Sequence, residues 1–379
     1  MHTTTPRSQR RRRTGFALAF TLLAMTVLGA LAGGVFFVTL RESRDARDAL
    51  RRVRAVSAAE FGVYTLAASS VWNPFWNTTP QRGLLDARVY QPGDGSLDSV
   101  QVWKLSPSDF RVASEGYSGS GAARARHRVS LLLSLRGPHL VPRAAALVKE
   151  QATLSGDARI SGADSAVAAW ECEPPGPELP AIGIAQVAGV DTTACSAVPC
   201  LSGAPPVLLD SLAADSRMHE QFGAFTRGQI AALGRALPIG AELLNPAPLL
   251  DALGACDTSS SLNLGDPLRS LGATSPCAHF FPLAYAPESL HLSGGAGQGT
   301  LVVDGNLLMD AGARFFGVIL VRDELHLTGA ARFTGVAFAS RLTMDGDAAM
   351  QLSRCAATRA FLALATPVRP PGLTWTDIP

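Results

Sequence analysis

The sequence predicts an α+β chain: one long N-terminal transmembrane and stem α-helix, a small antiparallel β-sheet, and a C-terminal parallel β-solenoid-like repeat with a loop-rich, cysteine-containing insertion. Three observations carry this expectation. A charge-free run of 25 residues, Phe16 to Leu40, continues into a proline-free stretch with helical periodicity. Residues 84–136 then alternate apolar and polar positions between turn signals. Beyond Ser289, short Leu-x-Leu segments closed by Gly or Asp-Gly return at intervals of 17 or 18 residues.

The N-terminal run, FALAFTLLAMTVLGALAGGVFFVTL, is polar only at Thr21, Thr26 and Thr39. At 1.5 Å per residue it is long enough to cross a hydrocarbon core about 30 Å thick. Its 13 Leu, Val and Phe residues favour insertion by roughly 4 to 8 kcal/mol in sum. Arg7 and Arg10 to Arg13 precede it and are expected to stay cytoplasmic, with the bulk exported. The run exceeds the apolar core of a secretory signal, and no clear A-x-A site ends it. No proline follows until Pro74. Ala46, Ala49, Leu50, Val53, Val56, Val63 and Ala67 trace one helical face, while Arg44 and Asp48 lie one turn apart. The helix is expected to reach about Ser70, over a length of about 80 Å. Gly29 and Gly33 form a small-xxx-small pair suited to a neighbouring helix.

In the 379 residues the formal net charge is +2, which gives no reason to expect a nucleic-acid partner. Lys104 and Lys149 are the two lysines. All six cysteines, Cys172, Cys195, Cys200, Cys256, Cys277 and Cys355, follow the apolar run, an arrangement suited to disulfides in an oxidising compartment. Fifteen pairings of six are open. Cys195 with Cys200 can close a small loop, and Cys256 with Cys277 a larger one. A zinc site lacks its usual C-x-x-C and H-x-x-x-H spacings.

In the middle of the chain, Ser99–Leu105, Asp109–Ser114 and Arg126–Leu135 read as antiparallel strands. Pro174-Pro175-Gly176-Pro177 and Pro205-Pro206 mark loops in segment 171–288. Leu208, Leu212, Phe222, Phe225, Ile230 and Leu233 suggest one amphipathic helix there. In the repeat, Phe316-Gly317-Val318 matches Thr334-Gly335-Val336, and Leu325-His326-Leu327 matches Leu342-Thr343-Met344. Residues 153–162, TLSGDARISG, read as an earlier rung separated from the others by the insertion.

Chemistry is sparse. Asp304, Asp310, Asp323, Asp345 and Asp347 lie in the repeat, where two carboxylates at a suitable separation could act on a glycoside. Aspartate beside glycine is equally ordinary turn chemistry. His291 and His326 each lie inside a Leu-His-Leu strand, opposite the leucines. The Gly294–Gly299 run lacks the spacing of a phosphate loop. No catalytic residue, cofactor or metal ligand is expected.

A basic leader, then Gly15-Phe16, then an apolar helix running into an amphipathic one with Ala58-Ala59-Glu60-Phe61-Gly62 resembles the N-terminus of type IV prepilins. The stretches GQGTLVVDG (297–305), FGVILV (316–321) and LSRCA (352–356) resemble the C-terminal region of PilX-like pilus assembly proteins. Major pilins carry Glu at the fifth mature position, where this chain has Phe20. The resemblance implies cleavage after Gly15 by a prepilin peptidase and methylation of Phe16. It also implies an inner-membrane helix that packs with other pilin-like or pilus assembly proteins, in the lipid bilayer and then in a surface filament. The alternatives are a pilus-independent envelope adhesin or glycan-binding protein and, less favoured, a tethered polysaccharide-active enzyme. The resulting division is a leader at 1–15, the helix at 16–72, the small sheet at 84–136, a solenoid-like unit at 150–170 and 289–355, an insertion at 171–288 and a tail at 356–379.

Overall fold

The computed structural model describes residues 15–68, 72, 74–168, 170–196, 199–370 and 376–377. The leader arginines Arg7 and Arg10 to Arg13 lie outside the described residues, as do 69–71 and parts of the C-terminal tail. Helix α1 spans Gly15–Ala67 without a break, as the absence of proline allows. A short helix α2, Pro74–Thr78, follows with proline in its first position, where a missing N–H costs nothing.

Four strands form an antiparallel meander: β1 Gly83–Tyr90, β2 Leu97–Lys104, β3 Asp109–Ser118 and β4 Ala125–Arg136. Segment Thr366–Val368 returns from the far end of the chain and pairs with β4, and Thr376–Asp377 pairs further along it. Alternation directs Val100, Val102, Phe110, Val112, Val129, Leu131 and Leu133 to one face, where they bury against Ala59, Val63 and Leu66 of α1 and the indoles of Trp72 and Trp76.

This packing is close. A Cβ on Gly116 of β3 would overlap the Ala55 carbonyl oxygen, and one on Gly62 of α1 would overlap the Asp98 carboxylate. With Ala55, Ala58 and Ala59 also buried, the helix presents almost bare backbone to the sheet. Asp98 is fully buried under this crossing and accepts a hydrogen bond from Ser114 Oγ. Burial pushes its carboxyl up to about 6, and the Ser114 hydroxyl only partly opposes this.

The second unit is a curled parallel sheet. Strands Ala296–Val303, Arg314–Val321 and Arg332–Met344 stack in register, with Gly299, Gly317 and Gly335 directly opposite one another. These three glycines have φ of +109°, +138° and +151°, and the backbones above them leave no room for a Cβ. They mark the bend of each strand. Flanking them, Leu290–Ser293, Leu307–Asp310 and Glu324–Leu327 stack as a second parallel series. Leu292, Leu301, Leu307, Met309, Val318, Leu325 and Leu327 fill the interior, where Phe315 and Phe333 stack with centroids 6.5 Å apart.

The stacking departs from sequence order, and the solenoid-like character is partial. Strand β5, Ala146–Gly156, pairs with residues 337–344, and Arg159–Ser161 pairs with Ala349–Leu352. TLSGDARISG therefore follows the last C-terminal turn in space instead of preceding the first. Segment 171–288 likewise belongs to the sheet. Ile182–Ile184, Val190–Cys195, Leu201–Ser202 and Val207–Leu209 extend one end, while Arg235–Ala236, Glu242–Leu244 and Leu283–Ala286 build the other. Only face matching is required of parallel neighbours, so long, irregular connections could hide these strands from a periodicity search.

The amphipathic helix expected around 208–233 is broken. A 3₁₀ turn at Ser211–Ala214 is capped by Asp210, a short helix at Ser216–Glu220 is capped by Asp215, and a tight strand pair surrounds Gly223 at φ +65°. Helix Arg227–Leu233 then starts on a complete capping box formed by Thr226 and Gln229. Each cap favours a new helix start over continuation.

Two outcomes follow from the helix–sheet crossing. Gly116→Val should lower stability by about 2–4 kcal/mol, since backbone on the facing helix cannot yield; thermal unfolding of the detergent-solubilised chain measures it. For Asp98 the folded pKa of about 6 lies above the ordinary value of 3.8. The folded state therefore holds the proton more tightly, and this contribution to stability is lost as pH rises from about 4 through 6. Asp98→Asn should accordingly stabilise the protein by about 1–3 kcal/mol at pH 7.5. The gain should shrink towards zero below pH 4, as read from melts across pH.

Candidate assembly surface and the cleft between the sheets

Residues 16–40 of α1 project from both sheets and touch neither, leaving Phe16, Leu18, Phe20, Phe36 and Phe37 exposed. Among the described residues α1 is the one helix long and apolar enough to cross a membrane, with a mean hydropathy of 2.1 over its most apolar window. Gly15 is its first residue and Phe16 is exposed. Gly29 and Gly33 have no neighbour within 4 Å, so a second backbone can approach them closely.

Above the apolar run, residues 41–50 are exposed on every side. Asp48 pairs with Arg51 at 3.0 Å instead of with Arg44. The single apolar face read from the sequence divides in two. Ala55, Ala58, Ala59, Val63 and Leu66 turn towards the small sheet and are buried. On the opposite side Leu50 (51% exposed), Val53 (62%), Phe61 (43%) and Tyr64 (61%) form a stripe facing away from it. Their offsets of 0, 3, 11 and 14 residues return to one side of a 3.6-residue helix. Val53 and Val63, grouped together by periodicity, therefore serve different surfaces. The sheet selects small residues for one side and leaves the bulky ones outside.

All six cysteines are paired. Cys195–Cys200 closes a five-residue separation, Cys256–Cys277 one of 21, and Cys172–Cys355 one of 183. The first two pairs are local. The third joins the loop after Trp170 to the start of helix Arg354–Leu362, a contact no spacing in the sequence signals.

The five aspartates of the repeat do not converge. Asp304 is held by Arg227 at 2.7 Å, Arg322 at 3.1 Å and the Tyr285 hydroxyl at 2.7 Å, which fastens helix Arg227–Leu233 to the sheet. Asp347 pairs with Arg332 at 2.8 Å, Asp345 with His326 at 2.7 Å, and Asp323 is exposed. His291 lies between Glu242 at 3.2 Å and Asp310 at 2.9 Å, linking three successive turns. Hydrogen bonds from Ser293 and then His291 hold the Asp310 carboxyl below the usual range. Among the described residues no group of three or more His, Cys, Asp or Glu side chains is placed to hold a metal ion.

The two sheets meet around a cleft of about 330 Å³, formed by the 77–82 segment, the β2–β3 turn, the 164–176 loop and helix Arg354–Leu362. Asn77 Nδ2 donates to the Leu362 carbonyl at 3.3 Å across this junction. Lys104 ends β2 in the cleft wall. Its ammonium donates to the carbonyls of Trp76 and Asn77, both at 3.2 Å, and of Thr79, and so caps the C-terminal end of α2. Arg359 donates to the Glu171 carbonyl and stacks over the Trp170 ring at 5.6 Å. Asp164 accepts from the backbone N–H groups of Gly176 at 2.7 Å and Arg354 at 2.9 Å. The sequence marked Lys104 only as one of two lysines; a lone lysine at the end of an alternating strand was its one visible signal.

No family model matches the chain, and none of the curated proteins matches it significantly. Among solved structures it is similar to the competence-associated pilin ComZ from Thermus thermophilus, with 12% identity and a TM-score of 0.28 over 86% of this chain and 98% of that one. A likeness of that degree establishes neither fold nor function.

Removing the ammonium in Lys104→Met leaves the last carbonyls of α2 without their donor. The expected cost is about 1–3 kcal/mol, with altered near-ultraviolet circular dichroism from Trp72 and Trp76, measured on the same detergent-solubilised protein.

Proposed function

We propose that this chain is a membrane-anchored, pilin-like structural component of the PilX-like minor pilin or pilus assembly type. On this reading α1 waits in the inner membrane with its N-terminus cytoplasmic, and the two sheets are presented outside the cytoplasm. The observation that carries the proposal is the stripe of Leu50, Val53, Phe61 and Tyr64. It continues the apolar surface of the span upward, on the side of the stem that the sheet leaves open. A solitary anchor gains nothing from bulky apolar residues there, whereas a helix packing among other helices buries them at roughly 25 cal/mol per Å².

Three disulfides favour the oxidising side of the membrane for the bulk of the chain. Arginines decide the direction less well, because Arg41, Arg44 and Arg47 follow the span as closely as Arg7 and Arg10 to Arg13 precede it. The parallel sheet, stiffened by its buried ladder, serves as the presented platform and carries no catalysis. The other reading, a pilus-independent adhesin or glycan-binding envelope protein, uses the same anchor without helix packing.

Two measurements separate them. Intact-mass analysis should give a mature N-terminus at Phe16 that depends on the prepilin peptidase. A single cysteine added by Ser57→Cys, within the exposed stripe, should cross-link to other membrane helices. Ser99→Cys on the outer face of the small sheet should not. An uncut chain with no stripe-specific cross-link would sink the pilin reading and leave the pilus-independent one.

A further inference from the structure

We propose that the cleft between the two sheets binds a small oxyanion, a carboxylate or phosphate group, read by Arg359 with electrostatic support from Lys104. This goes beyond an assembly role and does not depend on it.

The argument starts from charge. Lys104 is 4% exposed and Arg359 5% exposed, and both line the same cleft. Among the described residues neither has a carboxylate within ion-pair distance; their polar partners are backbone carbonyls. Carbonyl dipoles solvate a cation without neutralising it, and a buried cation without a counter-charge is unfavourable. The acids nearby are committed or remote. Asp164 is held by Gly176, the Arg354 backbone and the Arg354 guanidinium, and Glu171 and Glu173 are exposed at the rim. The strain shows in both groups. Burial, then Arg359, pushes Lys104 down to about 8; burial pushes Arg359 down to about 10 against the opposing pull of Glu171.

The cleft supplies room as well as charge, since 330 Å³ admits a ligand of several heavy atoms. All three Lys104 protons are taken by the three carbonyls, so this residue contributes field and no donor. Arg359 spends one nitrogen on the Glu171 carbonyl, which leaves guanidinium N–H groups for a planar or tetrahedral oxyanion. Arg82 and the Thr358 hydroxyl stand exposed on the lining, where they can meet the rest of the ligand.

The test uses the full chain in detergent micelles and thermal unfolding at constant ionic strength. Sodium phosphate and sodium succinate are titrated separately against sodium chloride. A saturable rise in Tm of a few degrees is expected with at least one oxyanion and not with chloride. Phosphate alone or succinate alone names the source of the oxygen group. Arg359→Gln should weaken binding at least about tenfold with native far-ultraviolet circular dichroism. Arg82→Gln, an exposed change that leaves the fold intact, should weaken it by a smaller factor, and Arg47→Gln on the bare stem should leave it unchanged. The proposal is overturned if neither oxyanion shifts Tm beyond chloride, or if the shift survives undiminished in Arg359→Gln; should that variant fail to fold, an undiminished shift in Arg82→Gln overturns it.

Discussion

The small unit depends on the crossing of α1 over β2 and β3, where Gly116 meets the backbone at Ala55 and Ala59, and Gly62 meets Asp98. Backbone-to-backbone approach at this point determines the rest of the small unit. It brings Val63 and Leu66 into the aromatic cluster of Trp72, Trp76 and Phe110, and it turns Leu50, Val53, Phe61 and Tyr64 away from the sheet. It also buries a carboxyl at Asp98 with a single hydroxyl partner, a local cost that the surrounding packing must offset. Anchor, stem and sheet form one mechanical piece because the middle of that piece has no side chains in the way.

The second unit is held by a different device. Its ladder runs through Gly299, Gly317 and Gly335, whose left-handed backbone lets each strand bend inside the stack. The chain enters this stack at β5, builds one end, crosses to the other and returns to meet β5 from below. Such a path carries a high entropic cost of ordering. The Cys172–Cys355 bridge and the Asp304–Arg227 pair tie the returning segments in place.

Where the two units join, the needs of each create the cleft. Strand β2 must end on a residue that can satisfy the carbonyls of α2, and helix Arg354–Leu362 must close over Trp170. Both needs are met by cations, Lys104 and Arg359, and these face a common space. Satisfying helix carbonyls and stacking an indole are structural tasks. Performing both with positive charge, side by side and out of water, gives the junction its electrostatic character.

Local signals were legible wherever a short-range rule governs. The absence of charge and proline over Phe16–Leu40 determined an apolar helix because insertion and helicity depend on residues a turn apart. Alternation placed β2, β3 and β4. The recurrence of Gly317 and Gly335 marked the period but not the bends that their backbone makes, and spacing suggested two of the three disulfide pairs. Several features belong to no single segment: the out-of-order stacking of Arg159–Ser161 on Ala349–Leu352, the pairing of Cys172 with Cys355, the division of the stem into a buried and an open side, and the meeting of Lys104 with Arg359. Each depends on which surfaces come together across intervening chain, dozens of residues for the stem against the small sheet and more than 180 for the other three. Local periodicity carries no information on that choice; face matching and burial in the folded molecule make it.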